Sequence, residues 1–275
     1  MKRGLGNALL HLALIALALL TIAPLLWMFS ASLMPAGQAN TQPPPLLPER
    51  VTFEHYRALF TRLDVARYAM NSMVLAGSVT IISVLLNAMA GYAFAKFRFR
   101  GREAIFRFLL GALVIPAQVA MLPLFLLLKE MRLINTHGGV IVPAMASIFG
   151  IFLVRQYAAS IPDELLDAAR IDGASELRIF VSLVLPLCRP ILVTLAIFTF
   201  MGVWNDFMWP LIVLTDESMH TLPVALASLM GEYVQDTELM MAGAVLTVLP
   251  VLLLFVFLQR YYIEGITAGS VKGQG

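Results

Sequence analysis

The chain has 275 residues, of which 60% are hydrophobic and 13% are charged, and its formal net charge is +2. Soluble domains carry roughly 25% charged residues, so this composition argues against a soluble globular enzyme. It also excludes a disordered chain, because such chains are polar and highly charged. An integral membrane protein is the class that remains.

Six stretches are long and apolar enough to predict transmembrane helices, since a hydrocarbon core of about 30 Å needs about 20 apolar residues. We expect these spans at residues 8–33, 68–95, 106–128, 136–156, 184–205 and 239–259. Their apolar residues do not alternate with polar ones, so we expect helices and not barrel strands. The predicted fold class is all-α, a single polytopic transmembrane domain over residues 1–275.

Positively charged residues indicate the orientation of these spans. Six spans place both termini on one side of the membrane. Most of the 19 Lys and Arg residues fall on that side, and the densest group lies at residues 96–102. Cytoplasmic loops carry an excess of positive charge, so we expect both termini in the cytoplasm. The first span is longer than the apolar region of a signal peptide, which favours a retained helix.

Four prolines lie within the predicted spans, at Pro116, Pro123, Pro143 and Pro250. A proline removes a backbone donor and can kink its helix. Kinked helices suit a protein that opens and closes, and they also occur in static bundles.

Cysteine and histidine give no sign of a metal site. The chain has one cysteine, Cys188, which excludes an internal disulfide and a thiolate metal cluster. The four histidines are widely spaced in the sequence, at His11, His55, His137 and His220. We therefore expect no metal ion and no cofactor bound by this chain.

The sequence also lacks the motifs of nucleotide-binding and hydrolytic sites. It contains no G-x-x-x-x-G-K-[ST], no H-E-x-x-H and no G-x-S-x-G. The spans hold almost no ionisable residues, which argues against a proton-coupled carrier and a membrane enzyme. Their polar side chains are neutral, and they either bond neighbouring helices or line a wet cavity.

The predicted cytoplasmic loop at residues 160–183 carries a specific local pattern. Pro162 fits the first position of a helix, and two carboxylates follow it in the first turn. Gly173 fits the left-handed residue that ends a helix, and Ser175 fits the cap of a second helix. The first helix has an apolar stripe formed by Leu165, Leu166, Ala168 and Ala169. Such a helix is either a docking element or a helix on the membrane surface.

A signature in this loop resembles the cytoplasmic signature of ABC importer permeases. That pattern is E-A-A, three residues, G, nine residues, then I-x-L-P; its places are taken here by Asp167-Ala168-Ala169, Gly173 and Leu183-Val-Leu185-Pro186. Asp replaces the usual Glu and Leu the usual Ile, which conserves charge and bulk. Residues 53–60, 204–211 and 265–273 are similar to the carbohydrate-uptake branch, and in particular to the second membrane subunit of maltose-type importers.

This resemblance implies a transporter subunit with no enzymatic activity of its own. The implied partners are a second permease subunit, two ATPase subunits that bind ATP and Mg²⁺, and an extracytoplasmic solute-binding protein, with no nucleic acid. The implied location is a bacterial or archaeal plasma (inner) membrane, where lipid surrounds the spans. The implied solute is a sugar or oligosaccharide. A polyol, a glycerophospho compound, or an ATP-independent channel or carrier are the alternatives.

The resemblance also implies roles for individual residues. Those expected to couple the permease to the ATPase are Glu164, Leu165, Asp167, Ala168, Ala169, Asp172 and Gly173. Sugar sites favour aromatic rings and neutral polar groups, and the candidates for the substrate pathway are Asn87, Gln118, Trp204 and Asn205. The C-terminal tail, residues 261–275, is expected either to reach the ATPase pair or to fray as a chain terminus.

Overall fold

The computed structural model describes residues 2–232 and 236–270, and in these residues it contains helices and no strands. The α-helices are α1 Lys2–Ala31, α2 Glu54–Thr61, α3 Val65–Lys96, α4 Arg102–Ala112, α5 Ala117–Glu130, α6 His137–Ala144, α7 Ile148–Ala158, α8 Asp163–Ile171, α9 Glu176–Ile179, α10 Leu185–Leu187, α11 Arg189–Trp204, α12 Met208–Val213, α13 Leu222–Glu232 and α14 Thr237–Ser270. A π-helical turn, Phe180–Val184, joins α9 to α10. The predicted all-α class is confirmed.

Four helical stretches of the described residues are long and apolar enough to cross a membrane by themselves. They are Leu10–Ala31, Val65–Lys96, His137–Ala158 and Thr237–Phe257. Two bent helix pairs raise the number to six if each pair is one span. The six stretches coincide with the six spans expected from the sequence.

The third and fifth spans are not the continuous helices that the sequence predicted. The third is broken between α4 and α5, which meet at 104°. Pro116 lies at this break, where its backbone is extended and α5 begins after it. A bend is therefore present at Pro116, and it is large enough to divide the span.

The fifth span bends at a place that the sequence analysis did not mark. Its two parts, Glu176–Leu187 and Arg189–Trp204, meet at 79° around Cys188. Pro186 and Pro190 flank this residue, and neither can donate a backbone hydrogen bond to the preceding turn. Two prolines four residues apart thus explain a bend that a search for apolar length alone misses.

The other three prolines lie within helices. Pro143 belongs to α6 and stands just before the short break between α6 and α7, where Ser147 accepts the backbone N–H of Gly150 and caps α7. Pro123 and Pro250 lie inside the continuous helices α5 and α14.

Helix α14 is longer than the predicted sixth span. It begins at Thr237 and continues to Ser270, well past the expected end at residue 259. Most of the predicted C-terminal tail is therefore helical backbone. The last part of that tail, residues 271–275, lies outside the described residues.

The chain divides into two compact units, and the prediction of a single domain remains a prediction. The first unit is Met1–Arg67 with Ala225–Pro250, and the second is Tyr68–Val224 with Val251–Gly275. In the first unit, the segment after α1 folds back on itself. There the buried carboxylate of Glu238 accepts the backbone N–H of Ala39 at 2.7 Å, and Thr52 N–H bonds the carbonyl of Leu33 at 2.9 Å.

The second unit contains a core that lies beneath α8 and α9. Its buried members come from α3, the stretch from α7 to the π turn and the start of α11, and they include Ala88, Tyr92, Ala158, Ile161, Leu166, Ile179, Phe180 and Ile191. The short helix α8 is thus anchored on a hydrophobic cluster, and is not a detached loop.

Candidate functional site

Helix α8 is bounded by local interactions. It begins at Asp163, one residue later than predicted, because Pro162 has the extended ψ of 135° that precedes a helix. Asp163 and Glu164 lie in the first turn and Arg170 in the last, each at the helix end that favours its charge. The sequence of the segment therefore specifies where this helix starts and stops.

A tight turn follows α8, as the glycine and serine predicted. Gly173 has φ +83°, the left-handed conformation that glycine adopts without a steric penalty. Gly173 N–H bonds the carbonyl of Arg170 and Ala174 N–H bonds that of Ala169, both at 3.0 Å, which is a Schellman motif. The side chain of Ser175 accepts the backbone N–H of Arg178 and caps α9.

Beyond α9 the backbone changes its hydrogen-bonding pattern. Leu185 N–H bonds the carbonyl of Phe180, five residues back, as in a π-helix. Pro186 has no N–H and its ring would crowd the carbonyl four residues before it, so a wider turn accommodates this proline. The predicted second helix therefore continues past Leu183, but partly as a π turn. We call residues 160–184 the α8–α9 segment.

The two faces of α8 have opposite environments. Leu166 is 1% exposed and Ala169 is partly buried, both against the chain's own core. At about 100° per residue, five exposed residues lie roughly 100° or more around the helix from Leu166: Glu164, Leu165, Ala168, Ile171 and Asp172. We call these five the outer face of α8.

The sequence alone does not distinguish these faces. The predicted stripe contains Leu165, Leu166, Ala168 and Ala169, and the expected coupling role includes Ala169 as well as Ala168. Ile171 is not among the predicted residues, but it is 86% exposed and lies three residues beyond Ala168 on the outer face. The spacing of Leu165, Ala168 and Ile171 is the signal that could have found it.

Two ion-pair groups stabilise the segment. Arg170 donates to Asp167 Oδ1 at 2.7 Å and to Glu176 Oε1 at 2.7 Å, joining α8 to α9. Lys96, at the end of α3, donates to Asp163 Oδ1 at 2.6 Å. The hydrogen bond and charge of Lys96 lower the pKa of Asp163, and the bonds to Glu176 and Asp167 raise the pKa of Arg170.

A cavity of about 360 Å³ lies beside α8 and has a mixed charge. It is lined by Lys96, Arg98, Asp163, Leu166, Asp167 and Arg170. Most of these cations already bond carboxylates, so the cavity belongs to the ion-pair framework of the segment. Among residues 2–232 and 236–270, no three His, Cys, Asp or Glu side chains come together as metal ligands.

The four candidates for the substrate pathway lie in different environments. Asn87 is fully buried, and Trp204 is 1% exposed and stacks on Phe200 with ring centroids 5.8 Å apart. Gln118 and Asn205 are exposed, and Asn205 Nδ2 donates to the carbonyl of Met201. Asn87 bonds Ser83 and Ser147, Trp204 stacks on Phe200, and Asn205 bonds Met201, so these three side chains contact different neighbours.

Asn87 is buried and joins helices in this structure. Its side chain donates to Ser83 Oγ at 2.8 Å and accepts the backbone N–H of Ser147 at 3.0 Å. A Cβ on Gly150 would lie 2.6 Å from Asn87 Nδ2, so only glycine permits this close approach. Of the two alternatives for neutral polar residues in the spans, Asn87 shows the interhelical hydrogen bond.

The segment after α11 is held by its own tryptophan and aspartate. Trp209 Nε1 donates to the carbonyl of Gly139 at 3.1 Å, and Asp206 Oδ1 accepts the backbone N–H of Trp209 at 3.3 Å. Burial raises the pKa of Asp206. The 204–211 signature therefore has a structural role of its own, as an anchor for the start of α12.

Comparison with known proteins gives the family. Residues 83–267 match the family described as "Binding-protein-dependent transport system inner membrane component", and the chain belongs to this family. It is 38% identical to an arabinooligosaccharides transport system permease protein of Halalkalibacterium halodurans, over 96% of both chains. It is 34% identical to a diacetylchitobiose uptake system permease protein of Streptomyces coelicolor, over 96% of this chain and 89% of that one.

A solved structure has the same fold over nearly the whole chain. A chain of a bacterial ABC transporter that imports the acidic polysaccharide alginate superposes with a TM-score of 0.81 at 26% identity, covering 94% of this chain and 96% of that one. The protein is thus a membrane permease subunit of the binding-protein-dependent type, and not an enzyme.

Proposed function

We propose that this chain is one of two permease subunits of an importer that carries a sugar or oligosaccharide into the cytoplasm. A solute-binding protein delivers the solute, and two partner ATPase subunits, which bind ATP and Mg²⁺, supply the energy. The chain lies in the inner membrane with both termini in the cytoplasm. The excess of Lys and Arg on the side of the α8–α9 segment supports this orientation.

The outer face of α8 is the single observation that carries the proposal. It presents Leu165, 41% exposed, and Ile171, 86% exposed, on either side of the small Ala168. A small residue between two apolar ones lets another surface approach closely. Because the opposite face is packed on the chain's own core, this helix offers a firm docking surface for an ATPase subunit.

Acidic residues at both ends of this face add polar specificity. Glu164 and Asp172 are exposed, and Asp167 is exposed on its flank. Arg170 donates a hydrogen bond to Asp167 Oδ1 and so fixes the orientation of this carboxylate. The carboxylate would meet a donor on the ATPase by a charge-assisted hydrogen bond.

Movement would pass from α8 into the fifth span. When the ATPase pair closes, it displaces α8. The Gly173 turn, α9 and the π turn Phe180–Val184 carry this displacement to the bend at Cys188 and on to α11. Access to the solute then alternates between the two sides of the membrane, as two states favoured by different contacts.

The relatives support a sugar or oligosaccharide as the solute. The names of two relatives specify an arabinooligosaccharide and diacetylchitobiose, and the matched structure imports alginate. The Lys and Arg residues of the predicted spans are Arg107, Arg155 and Arg189, all near the inner ends, and this disfavours a phosphate-directed site in the span interiors. Gln118 and Asn205, both exposed, remain candidates for contact with the solute.

Co-purification tests the proposal. The tagged chain is isolated from its native membrane in mild detergent, and the bound proteins are identified by mass. We expect an ATPase and a second permease subunit, and we expect Ile171→Lys to reduce ATPase recovery at least about tenfold, because it places a charge in an apolar contact.

The matched control is Leu47→Lys, another exposed apolar residue, 75% exposed, which lies far from α8 in the sequence. It should leave ATPase recovery unchanged. Any co-purifying binding protein is then titrated with sugars, polyols and glycerophospho compounds. Recovery of the chain alone, or equal ATPase recovery with Ile171→Lys, would contradict the docking proposal.

A further inference from the structure

We propose that the inner end of α3 is a second receiver of the movement of α8, through the positioning residues Lys96 and Tyr92. This inference rests on the proposed function and deepens it. The backbone that leaves α8 through Gly173 connects this helix to the fifth span and to no other span. Side-chain contacts connect α8 equally directly to α3, the helix of the second span.

Lys96 fixes the beginning of α8. Its ammonium donates to Asp163 Oδ1 at 2.6 Å and also to the backbone carbonyl of Ile161. The Lys96 side chain is only 8% exposed, whereas that of Asp163 is 70% exposed. From α3, the nearly buried lysine therefore binds both the first residue of α8 and the backbone that leads into it.

Tyr92, on the same face of α3, is connected to the other end of α8 through Glu176 of α9. It lies one turn before Lys96, at the i, i+4 spacing that puts two side chains on one side of a helix. Its hydroxyl donates to Glu176 Oε2 at 3.4 Å. Glu176 in turn accepts two hydrogen bonds from Arg170, at 2.7 and 3.4 Å, and Arg170 belongs to the last turn of α8.

The ring of Tyr92 adds apolar contacts to this connection. It is 3% exposed and packs on Phe97 and Phe180, with ring centroids 5.2 and 5.8 Å apart. Phe180 is the first residue of the π turn. Tyr92 thus contacts both polar and apolar parts of the path that leads from α8 to the fifth span.

One turn of α3 therefore binds the beginning of α8 directly and is connected to its end through Glu176. A displacement of α8 must either move the end of α3 with it or break the contacts of Lys96 and Tyr92. Because Lys96 bonds a charged partner and a backbone carbonyl from a nearly buried position, the first outcome is favoured. Loss of these contacts should let α8 move while α3 stays, so that ATP is hydrolysed without productive transport.

The experiment measures ATP hydrolysed per solute transported, with the complete complex in liposomes. Lys96→Met should raise this ratio about tenfold, and Tyr92→Phe, which removes only the hydroxyl, about threefold. Lys96→Arg should restore most of the coupling, because it keeps the donor. Asp163→Asn should raise the ratio less than Lys96→Met does. The double variant should have the same ratio as Lys96→Met alone, because both changes remove one interaction.

Matched controls separate positioning from general damage. Tyr157→Phe changes a second tyrosine, partly buried beside the same core, and Arg100→Gln removes an exposed cation from the loop after α3. Both should leave the ratio unchanged. Recovery of the ATPase with each variant is measured in parallel and should equal that of the parent chain.

The outcomes distinguish this inference from the proposed function. If the parent complex contains an ATPase and transports, but Lys96→Met leaves the ratio unchanged, α3 is not a receiver. A loss of ATPase recovery with an unchanged ratio would likewise overturn the positioning role. If the parent chain binds no ATPase, the proposed function itself fails.

Discussion

Two regions of the second unit contrast in how their structure is specified. The α8–α9 segment is bounded by interactions between near neighbours: Gly173 with Arg170, and Ser175 with Arg178. The crossing of α3 with α7 depends on residues about 60 positions apart, as in the bond from Ser147 N–H to Asn87. The first region presents an exposed surface, and the second is buried.

Substitutions in the two regions should therefore have different effects, on stability in one and on coupling in the other. Substitutions at the crossing should damage the folded protein, because they disturb buried helix–helix contacts. Substitutions on the α8–α9 segment should leave a folded, inserted protein with a coupling defect.

The largest effect is expected where α3 and α7 approach most closely. A Cβ on Gly91 would lie 2.6 Å from Val154 Cβ and 2.9 Å from the backbone nitrogen of Arg155. Gly91→Leu should therefore separate the two helices and abolish recovery of folded protein. Gly77→Leu, on the same helix but with open space around it, is the control and should be tolerated. Equal recovery of both variants in size-exclusion chromatography would refute the tight crossing.

A smaller loss of stability is expected at Asn87. Asn87→Leu leaves the partly buried N–H of Ser147 without its acceptor, which costs at most about 1–3 kcal/mol. The thermal midpoint in detergent should fall measurably. Asn205→Leu, at an exposed site, should change it little. If Asn87→Leu is as stable as the parent but has altered solute affinity, Asn87 belongs to the substrate pathway after all.

A substitution at Gly173 tests whether the α8–α9 segment is needed for coupling. Nothing lies within 4 Å of a Cβ built there, so a substitution acts only through its backbone conformation at φ +83°. Gly173→Val should cost about 1–2 kcal/mol locally and uncouple ATP hydrolysis from transport, with normal insertion. Asn tolerates the left-handed conformation, so Gly173→Asn should retain most transport. Equal transport by the Val and Asn variants would show that the turn has no role in coupling.

The smallest effect is expected at Asp206. Burial raises its pKa, so the folded state favours the protonated acid. Its contribution to stability is present below its ordinary pKa and is lost as the pH rises through the raised value. At about pH 7, Asp206→Asn should therefore be as stable as the parent or slightly more so, and this advantage should disappear towards about pH 4. A thermal midpoint that falls at neutral pH would show that the carboxylate itself is needed.

Local chemistry explains what could be predicted from the sequence. Long apolar runs gave the six spans and the all-α class, and Gly173 and Ser175 marked the turn after α8, since these features depend only on neighbouring residues. The prediction of Asn87 as a pathway residue could not be based on neighbouring residues in the same way. Its hydrogen-bond partners are defined by tertiary contacts that one sequence does not display.

The details that could not be predicted from the sequence have physical reasons too. The inner position of Ala169 depends on which side of α8 meets the core, and a stripe of four apolar residues leaves two choices for that side. The bend at Cys188 results from two prolines acting together with a π turn. The break at Pro116 turns the chain by 104°, and apolar length alone does not reveal such an angle.

The central claim is that the outer face of α8 meets an ATPase, and cysteine cross-linking tests it most directly. The natural Cys188 is 1% exposed, so an introduced thiol at an exposed position reacts preferentially. Ala168→Cys and Ala169→Cys differ by one residue but lie on the exposed and the inner side of α8. With a short thiol–amine cross-linker in native membranes, we expect an ATPase adduct from Ala168→Cys and little from Ala169→Cys. Equal adducts from both, or an adduct from neither, would contradict the account.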